Sequence, residues 1–162
     1  MGTSLNTRYP AYTSRFIQSF PAAEGGSSKV DNTITIAGEV TPLISTSVNR
    51  SGGEVYWGFN TKLADIVKVQ KGIEEAFQVA IDHSKSDRER KEAILRVGVL
   101  TVGSHMYQGG NMAIARNAME ALAAVNGYKL KPMSATGPLD VNIFLQPDND
   151  QLVRDVDRYF YR

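Results

Sequence analysis

Hydrophobic and polar positions along the chain change their spacing near residue 61, and this change predicts an α+β fold. Residues 33–36 alternate apolar and polar side chains as a strand does, and segments 43–48 and 54–59 flank a loop with two glycines. From residue 62 the apolar residues recur every three or four positions, which is typical of amphipathic helices. We therefore expect a small antiparallel sheet at about 33–60 covered by helices.

Local signals place three to four helices, at about 62–83, 86–102, 111–126 and 148–160. Ser86 and Glu89 have the spacing of a capping box, and Asn126-Gly127 is a typical helix end. The segment 97–102 fits a buried strand nearly as well as a helix, so both alternatives stay open. One further strand is predicted at 139–145, beside the early strands, from the alternation of Leu139, Val141, Ile143 and Leu145.

The first thirty residues differ from the rest and predict an extended N-terminal arm of residues 1–30, before a single domain of residues 31–162. The arm is rich in Gly, Ser, Pro and Thr, but it also carries aromatic residues, which disordered tails seldom keep. We therefore expect the arm to dock on its own domain or on a neighbouring subunit. Its predicted oligomer-interface residues are Tyr9, Tyr12, Phe16 and Phe20.

Composition excludes several kinds of chemistry. The 162 residues include no cysteine, which rules out disulfides, thiolate nucleophiles and cysteine-ligated zinc. There are only two histidines, fewer than a common histidine-rich metal site needs beside its carboxylates. We expect no metal and no cofactor.

Charge limits nucleic-acid binding to a local patch, because 18 basic residues nearly balance 17 acidic ones. The densest basic cluster opens the second helix, with acidic residues interleaved, so it is either a nucleic-acid contact or an ion-paired, solvated face. Two arm arginines lie among aromatic residues, as in surfaces that bind single strands. The predicted nucleic-acid-binding residues are Arg8, Arg15, Lys85, Arg88, Arg90, Lys91 and Arg96.

The loop around His105 is the best place for a general base or a ligand contact. It follows Gly103-Ser104 and precedes Gly109-Gly110. A serine beside a histidine in sequence does not make a catalytic pair, and the sequence has no Gly-x-Ser-x-Gly or phosphate-loop pattern. A structural role for His105 is favoured, and its function is left open.

These observations favour a self-assembling structural protein of viral coat or matrix type, a homo-oligomer that also contacts RNA or another single-stranded nucleic acid. The alternatives are a small nucleic-acid-binding module and, less favoured, an enzyme or ligand binder using the His105 loop. We expect that the chain is not an enzyme. The sequence shows neither the apolar run of a signal peptide nor a membrane span, so we expect a location in the cytoplasm or the virion.

Overall fold

The structure is a computed structural model that describes residues 3–4, 27–49, 54–59, 63–107 and 109–162. In this part of the chain the strands are β1 (Thr3–Ser4), β2 (Ser27–Ile36), β3 (Glu39–Asn49) and β4 (Glu54–Phe59). The helices are α1 (Leu63–Ile81), α2 (Asp87–Ser104), α3 (Asn111–Val125), α4 (Met133–Thr136), α5 (Leu139–Leu145), α6 (Asn149–Arg154) and α7 (Val156–Tyr159). The predicted α+β class is confirmed.

The sheet is antiparallel and has the strand order β1-β4-β3-β2. The β2–β3 hairpin closes through Ala37-Gly38, whose left-handed φ angles of 50° and 81° match the twist of a two-residue hairpin turn. A β-bulge between Asn32 and Thr33 leaves Leu43 as the extra residue of β3. β2 begins at Ser27, earlier than the predicted strand start near residue 33.

One face of the sheet is apolar, as the period of two predicted. Its buried side chains come from β2, β3 and β4: Ile34, Ile36, Ile44, Val48 and Val55. The alternate positions of β2 are polar and lie on the opposite face: Lys29, Asp31, Thr33 and Thr35. The sheet therefore covers the core with one side only.

Helix α2 occupies the centre of the fold. Every residue from Ala93 to Ser104 is buried except Arg96, and α2 contacts β3 and the helices α1, α3, α5, α6 and α7. The segment 97–102 is therefore helix rather than strand. Its first turn carries the predicted capping box, in which Ser86 N–H donates to Glu89 Oε2 and Glu89 N–H donates to Ser86 Oγ.

Two glycines let neighbours approach α2 closely. A Cβ atom at Gly98 would lie 2.2 Å from Met119 Sδ of α3, and one at Gly103 would lie 2.7 Å from Leu43 Cδ1 of β3. Both distances are shorter than side-chain contacts allow, so a side chain at either position would displace Met119 or Leu43 from its present packing on α2.

Helices α1 and α3 both pack on α2, and their C-terminal ends meet. Asn126 Nδ2 donates to the carbonyl of Ala80 at 2.9 Å and to that of Leu122 at 2.8 Å. Helix α3 ends as predicted, because Gly127 takes a left-handed φ of 71° and Tyr128 N–H bonds the Ala123 carbonyl. Its N-cap is Gly110, which has a left-handed φ of 76°.

The prediction of a strand at 139–145 is wrong, because this segment is helix α5. Residues 139–144 are all buried, so the alternation of apolar and polar residues along the segment does not indicate a strand with one exposed face. The polar residue Asn142 is buried because its amide donates to the Thr136 carbonyl and accepts from Arg158. Pro138 provides the N-cap, and its φ of −61° is compatible with a helix start.

The predicted last helix, at about 148–160, is two short helices. Asp148 caps α6 by accepting from Asp150 N–H, as expected, but Asp155 leaves helical geometry and α7 starts after it. The chain before α6 closes the edge of β2, where Thr33 N–H donates to the Pro147 carbonyl at 2.8 Å. The segment after α5, and not a strand at 139–145, therefore contacts the edge of β2.

Asn32 is the polar anchor between the sheet and α5. Its fully buried Nδ2 lies 2.9–3.2 Å from the carbonyls of Ile143, Phe144 and Gln146, and its Oδ1 accepts from Thr46 Oγ1 at 2.8 Å. These bonds satisfy carbonyl groups that the C-terminal end of α5 leaves free.

We predict that Asn32→Ala lowers the free energy of unfolding by about 2–3 kcal/mol, because several buried polar groups lose their partner. The control Lys29→Ala, at an exposed position of the same strand, should change it by less than about 0.5 kcal/mol. Urea unfolding followed by circular dichroism measures both values. Equal effects of the two variants would show that Asn32 is not an anchor.

Candidate functional site

Five of the residues predicted to bind nucleic acid are described, and they surround the first half of α2 without forming one patch: Lys85, Arg88, Arg90, Lys91 and Arg96. The three arginines each form an ion pair: Arg88 with Glu92, Arg90 with Asp87, and Arg96 with Asp150. Within the described ranges, the two lysines, Lys85 and Lys91, form no ion pair. The cluster therefore divides into cations used inside the fold and cations left at the surface.

Arg90 is built into the junction of α1, α2 and α3. Its Nη2 atom donates to Asp87 Oδ1 at 2.5 Å, and its Nη1 atom lies 2.9 Å from both Asn126 Oδ1 and His83 Nδ1. Its guanidinium carbon lies 5.4 Å from the centroid of the Tyr128 ring. Hydrogen bonds from Tyr128 and Arg90 hold the pKa of the Asp87 carboxyl below its ordinary value. Arg90 therefore joins helix ends and is largely withdrawn from solvent.

Arg96 ties α2 to the edge of the sheet and to α6. Its Nη1 atom donates to the Thr35 carbonyl at 2.8 Å, and its Nη2 atom donates to Asp150 Oδ1 at 2.6 Å. Thr35 N–H completes the ring by donating to Asp150 Oδ2 at 2.8 Å. Burial alone would raise the pKa of Asp150, but the bonds from Thr35 and Arg96 outweigh it and hold the pKa below its ordinary value of 3.8.

A groove of about 470 Å³ lies beside this ring, between α1, α2 and the tip of the β2–β3 hairpin. Apolar residues line its floor, and its rim mixes both signs of charge, including Lys85, Glu89, Arg96 and Asp150. Among the residues that the structure describes, no three histidine, aspartate or glutamate side chains are placed to hold a metal ion. No helix of the described segments is long and apolar enough to cross a membrane.

The loop around His105 is organised by Asn111. His105 ends α2 with a left-handed φ of 49°, and its Nδ1 lies 3.1 Å from Asn111 Nδ2, which assigns the ring proton to Nε2. The buried Asn111 amide also bonds both backbone polar groups of Tyr107. The Ser104 hydroxyl donates to the Thr101 carbonyl at 3.5 Å. His105 therefore helps to hold the loop in place, and the Ser104 hydroxyl bonds a backbone carbonyl instead of the His105 ring.

A basic and aromatic surface lies at the C-terminal end of the fold, and we call it the lysine–tyrosine surface: Lys129, Lys131 and Tyr161. It is created by a short antiparallel pairing around Leu130 and Phe160, in which Lys131 N–H bonds the Tyr159 carbonyl and Tyr161 N–H bonds the Lys129 carbonyl. Buried Phe160 and half-buried Leu130 point inward, so their neighbours along the chain, Lys129, Lys131 and Tyr161, face outward.

The cations of this surface lie over its aromatic ring. Lys129 Nζ and Lys131 Nζ lie 5.6 Å and 6.0 Å from the Tyr161 ring centroid. On the inner side of the pairing, Lys91 Nζ lies 4.8 Å from the Tyr128 centroid and 5.7 Å from that of Phe160. Such distances are within the range of cation–π attraction, which holds the ammonium groups near the rings without neutralising them.

A second surface, which we call the α3 outward face, is uncharged and mostly apolar: Ile114, Asn117, Ala121 and Val125. Their spacing of three or four residues puts them on one side of the helix, and all four are exposed. Helix α1 adds exposed Val67, Phe77 and Ile81. Ile81 and Val125 each adjoin a residue of the Asn126–Ala80 hydrogen bond, so the apolar ends of the two helices are neighbours.

The predicted arm residues lie outside the described residues. This applies to the cations Arg8 and Arg15 and to the interface residues Tyr9, Tyr12, Phe16 and Phe20. Their predicted roles stay predictions. The described part of the arm is β1, which pairs with Tyr56 and Trp57 of β4, together with the first residues of β2.

Comparison with known proteins assigns the chain to no family. No protein-family model matches it, and no curated protein is significantly similar to it. Its function must therefore be inferred from the surfaces that the described residues form.

Sequence reasoning missed Lys129, Lys131 and Tyr161 because they become neighbours only when the two chain segments pair. A local signal was present in Tyr128–Lys131, where two lysines alternate with larger apolar side chains. That pattern predicts an outward basic edge if the segment is extended. The partner strand, thirty residues away in the sequence, carries no motif that reveals it.

We predict that Arg90→Gln lowers the free energy of unfolding by about 2–3 kcal/mol, because it leaves the helix junction without its charged donor. Arg88→Gln is the matched control from the same turn, and it should cost less than about 0.5 kcal/mol. The Arg88 side chain is 68% exposed, whereas that of Arg90 is 12% exposed. Chemical unfolding compares them, and equal stability of the two variants would contradict the structural role of Arg90.

The Asp150 ring predicts a pH dependence. Because the pKa of Asp150 is lowered by folding, its contribution to stability is present above its ordinary value of 3.8 and is lost as the pH falls through the folded-state pKa. Asp150→Asn should be less stable than the parent by about 1–2 kcal/mol near pH 7 and nearly as stable at about pH 2. Thermal unfolding across this range measures the difference. A difference that does not change with pH would contradict the prediction.

Proposed function

We propose that this chain is a self-assembling structural protein of viral coat or matrix type, which associates with copies of itself through the α3 outward face. One observation carries the proposal: Ile114 and Val125 are 41% and 66% exposed on a helix face that holds no charge. Surface helices normally turn charged and polar residues outward. An apolar face of this kind is stabilised when another apolar surface covers it.

A second copy of the chain is the occupant that the charges favour. With 18 basic and 17 acidic residues, two copies repel each other little as they approach. The small Ala121 at the centre of the face lets two helices come close, and a two-fold arrangement would use the same face on both copies.

The exposed residues of α1 extend the area available for assembly. A stable interface buries about 800 Å² on each partner, which is more than one short helix face supplies. Val67, Phe77 and Ile81 lie on the exposed side of α1, and the apolar ends of α1 and α3 are neighbours. The four aromatic residues predicted in the arm would add anchors of the kind that dominate interface energetics.

The coat or matrix type of assembly is supported by what the chain offers chemically. Charged residues such as Arg90 and Arg96 are used in ion pairs within the fold. The best general-base candidate, His105, bonds Asn111 and helps to hold its own loop in place. An assembly role uses the surfaces that remain. The alternative, a small nucleic-acid-binding module, is favoured by the lysine–tyrosine surface, and one chain can combine both roles.

The test is light scattering on a sizing column, with Ile114→Glu/Val125→Glu as the disrupting variant. The parent should elute well above the 17.8 kDa of one chain, and the variant should dissociate with an apparent dissociation constant at least about tenfold higher, because a buried charge is costly. Val40→Glu is the matched control, since Val40 is 70% exposed at the β2–β3 hairpin.

The control should leave the mass of the assembly unchanged. A parent that elutes as a monomer at every concentration, or a Val40→Glu variant that dissociates as far as the double variant, would overturn the proposal. Absorbance at 260 and 280 nm across the same peak reports whether nucleic acid accompanies the assembly.

A further inference from the structure

We infer that the lysine–tyrosine surface is a binding site for single-stranded nucleic acid, with Tyr161 as a base-stacking platform and Lys129 and Lys131 as phosphate contacts. This inference does not depend on self-assembly, because the site is complete within one chain. It also moves the nucleic-acid contact away from the basic cluster that the sequence suggested.

The first reason for placing the site here is that its lysines are available to bind phosphates. Within the described residues, neither Lys129 nor Lys131 forms an ion pair, whereas Arg88, Arg90 and Arg96 are all paired with carboxylates. Lys131 Nζ donates to a backbone carbonyl, that of Asp157, and so keeps its full charge. Affinity for a polyanion comes from cations that can replace counterions at phosphates, and an arginine already paired with a carboxylate does this poorly.

Neighbouring acids are the second consideration, because they would repel phosphates. Two carboxylates next to the surface are already occupied: Asp87 by Arg90 and Tyr128, and Glu120 by Arg116. Asp157, whose carbonyl accepts from Lys131 Nζ, adds a carboxylate that forms no ion pair with the described residues. The two lysines outnumber this carboxylate, so the local balance is weakly basic although the chain as a whole is almost neutral.

The aromatic ring selects single strands. Tyr161 is 46% exposed beside two ammonium groups, so an unstacked base can lie on the ring while its phosphates meet the lysines. A duplex keeps its bases stacked on each other and offers the ring only its backbone. Tyr128, packed edge-on against Phe160 at a centroid distance of 6.1 Å, supports the surface from below.

The test is fluorescence anisotropy with labelled oligouridylate and oligodeoxythymidylate of about 12 nucleotides, and with a duplex of the same length. Both single strands should bind more tightly than the duplex. Tyr161→Ala should weaken binding by about 5- to 150-fold, as expected for one lost base–aromatic stack, and Tyr161→Phe should bind like the parent. Tyr107→Ala is the matched control, because Tyr107 is 47% exposed on the His105 loop.

Salt dependence tests the lysines. Lys129→Gln/Lys131→Gln should reduce the slope of log affinity against log salt by about 1.4, which corresponds to two lost phosphate contacts on a single strand. The control Lys29→Gln/Lys71→Gln removes two exposed cations elsewhere and should leave the slope unchanged. Circular dichroism of every variant confirms that the fold is retained.

Several outcomes would overturn the inference. These are no binding to either strand at low salt, equal binding of the duplex, an unchanged affinity for Tyr161→Ala, or a larger loss for Lys85→Gln/Arg88→Gln than for Lys129→Gln/Lys131→Gln. Binding to phosphatidylserine vesicles with none to the oligonucleotides would overturn it as well. Light scattering on the same samples keeps the result separate from the assembly proposal, since a monomer that binds single strands supports this site and contradicts the other.

Discussion

The burial of α2 on nearly every side is the constraint on which the rest of the fold depends. A helix surrounded by other elements has little room for charge, so six of its seven charged residues lie at the exposed N-terminal end, before Ala93, and the seventh, Arg96, is paired with Asp150. Its neighbours must also approach closely, which the glycines at 98 and 103 permit. The order of the fold follows: the sheet packs beside Gly103, α3 beside Gly98, and the C-terminal helices close the remaining sides.

Polar residues at the edges of this core act as ties between elements that are distant in sequence. Arg96 joins α2 to β2 and α6, Asn32 joins β2 to α5, and Arg90 joins the ends of α1, α2 and α3. Each tie is at least half-buried, so each polar atom it leaves unsatisfied is costly. The same cost explains why these cations are poor candidates for binding an external partner: a phosphate would have to replace a carboxylate that the fold already supplies.

Features encoded within a few residues could be predicted from the sequence, and features that depend on remote contacts could not. The capping box at Ser86 and the glycine end of α3 are local, and both are found as expected. Helix α5 was mistaken for a strand because its buried Asn142 is satisfied by Thr136 and Arg158, so a polar residue that looked solvent-facing is internal. The sequence also does not show which basic residues are used inside the fold, because the partners of Arg90 and Arg96 include Asn126 and Asp150, which are far along the chain. The lysine–tyrosine surface forms only when the segments around Leu130 and Phe160 pair, and no local sequence pattern predicts that pairing.

The two proposed surfaces complement each other physically. The two lysines of the proposed nucleic-acid site make few phosphate contacts, so we expect a single copy with a net charge of +1 to bind a polyanion weakly. Assembly through an uncharged helix face uses none of those lysines, and it places several copies of the site along one strand. Linked sites then bind with an effective concentration that raises the overall affinity without any new contact. A nearly neutral chain can therefore hold a nucleic acid when it is assembled and release it when it is not, which a strongly basic chain could not do.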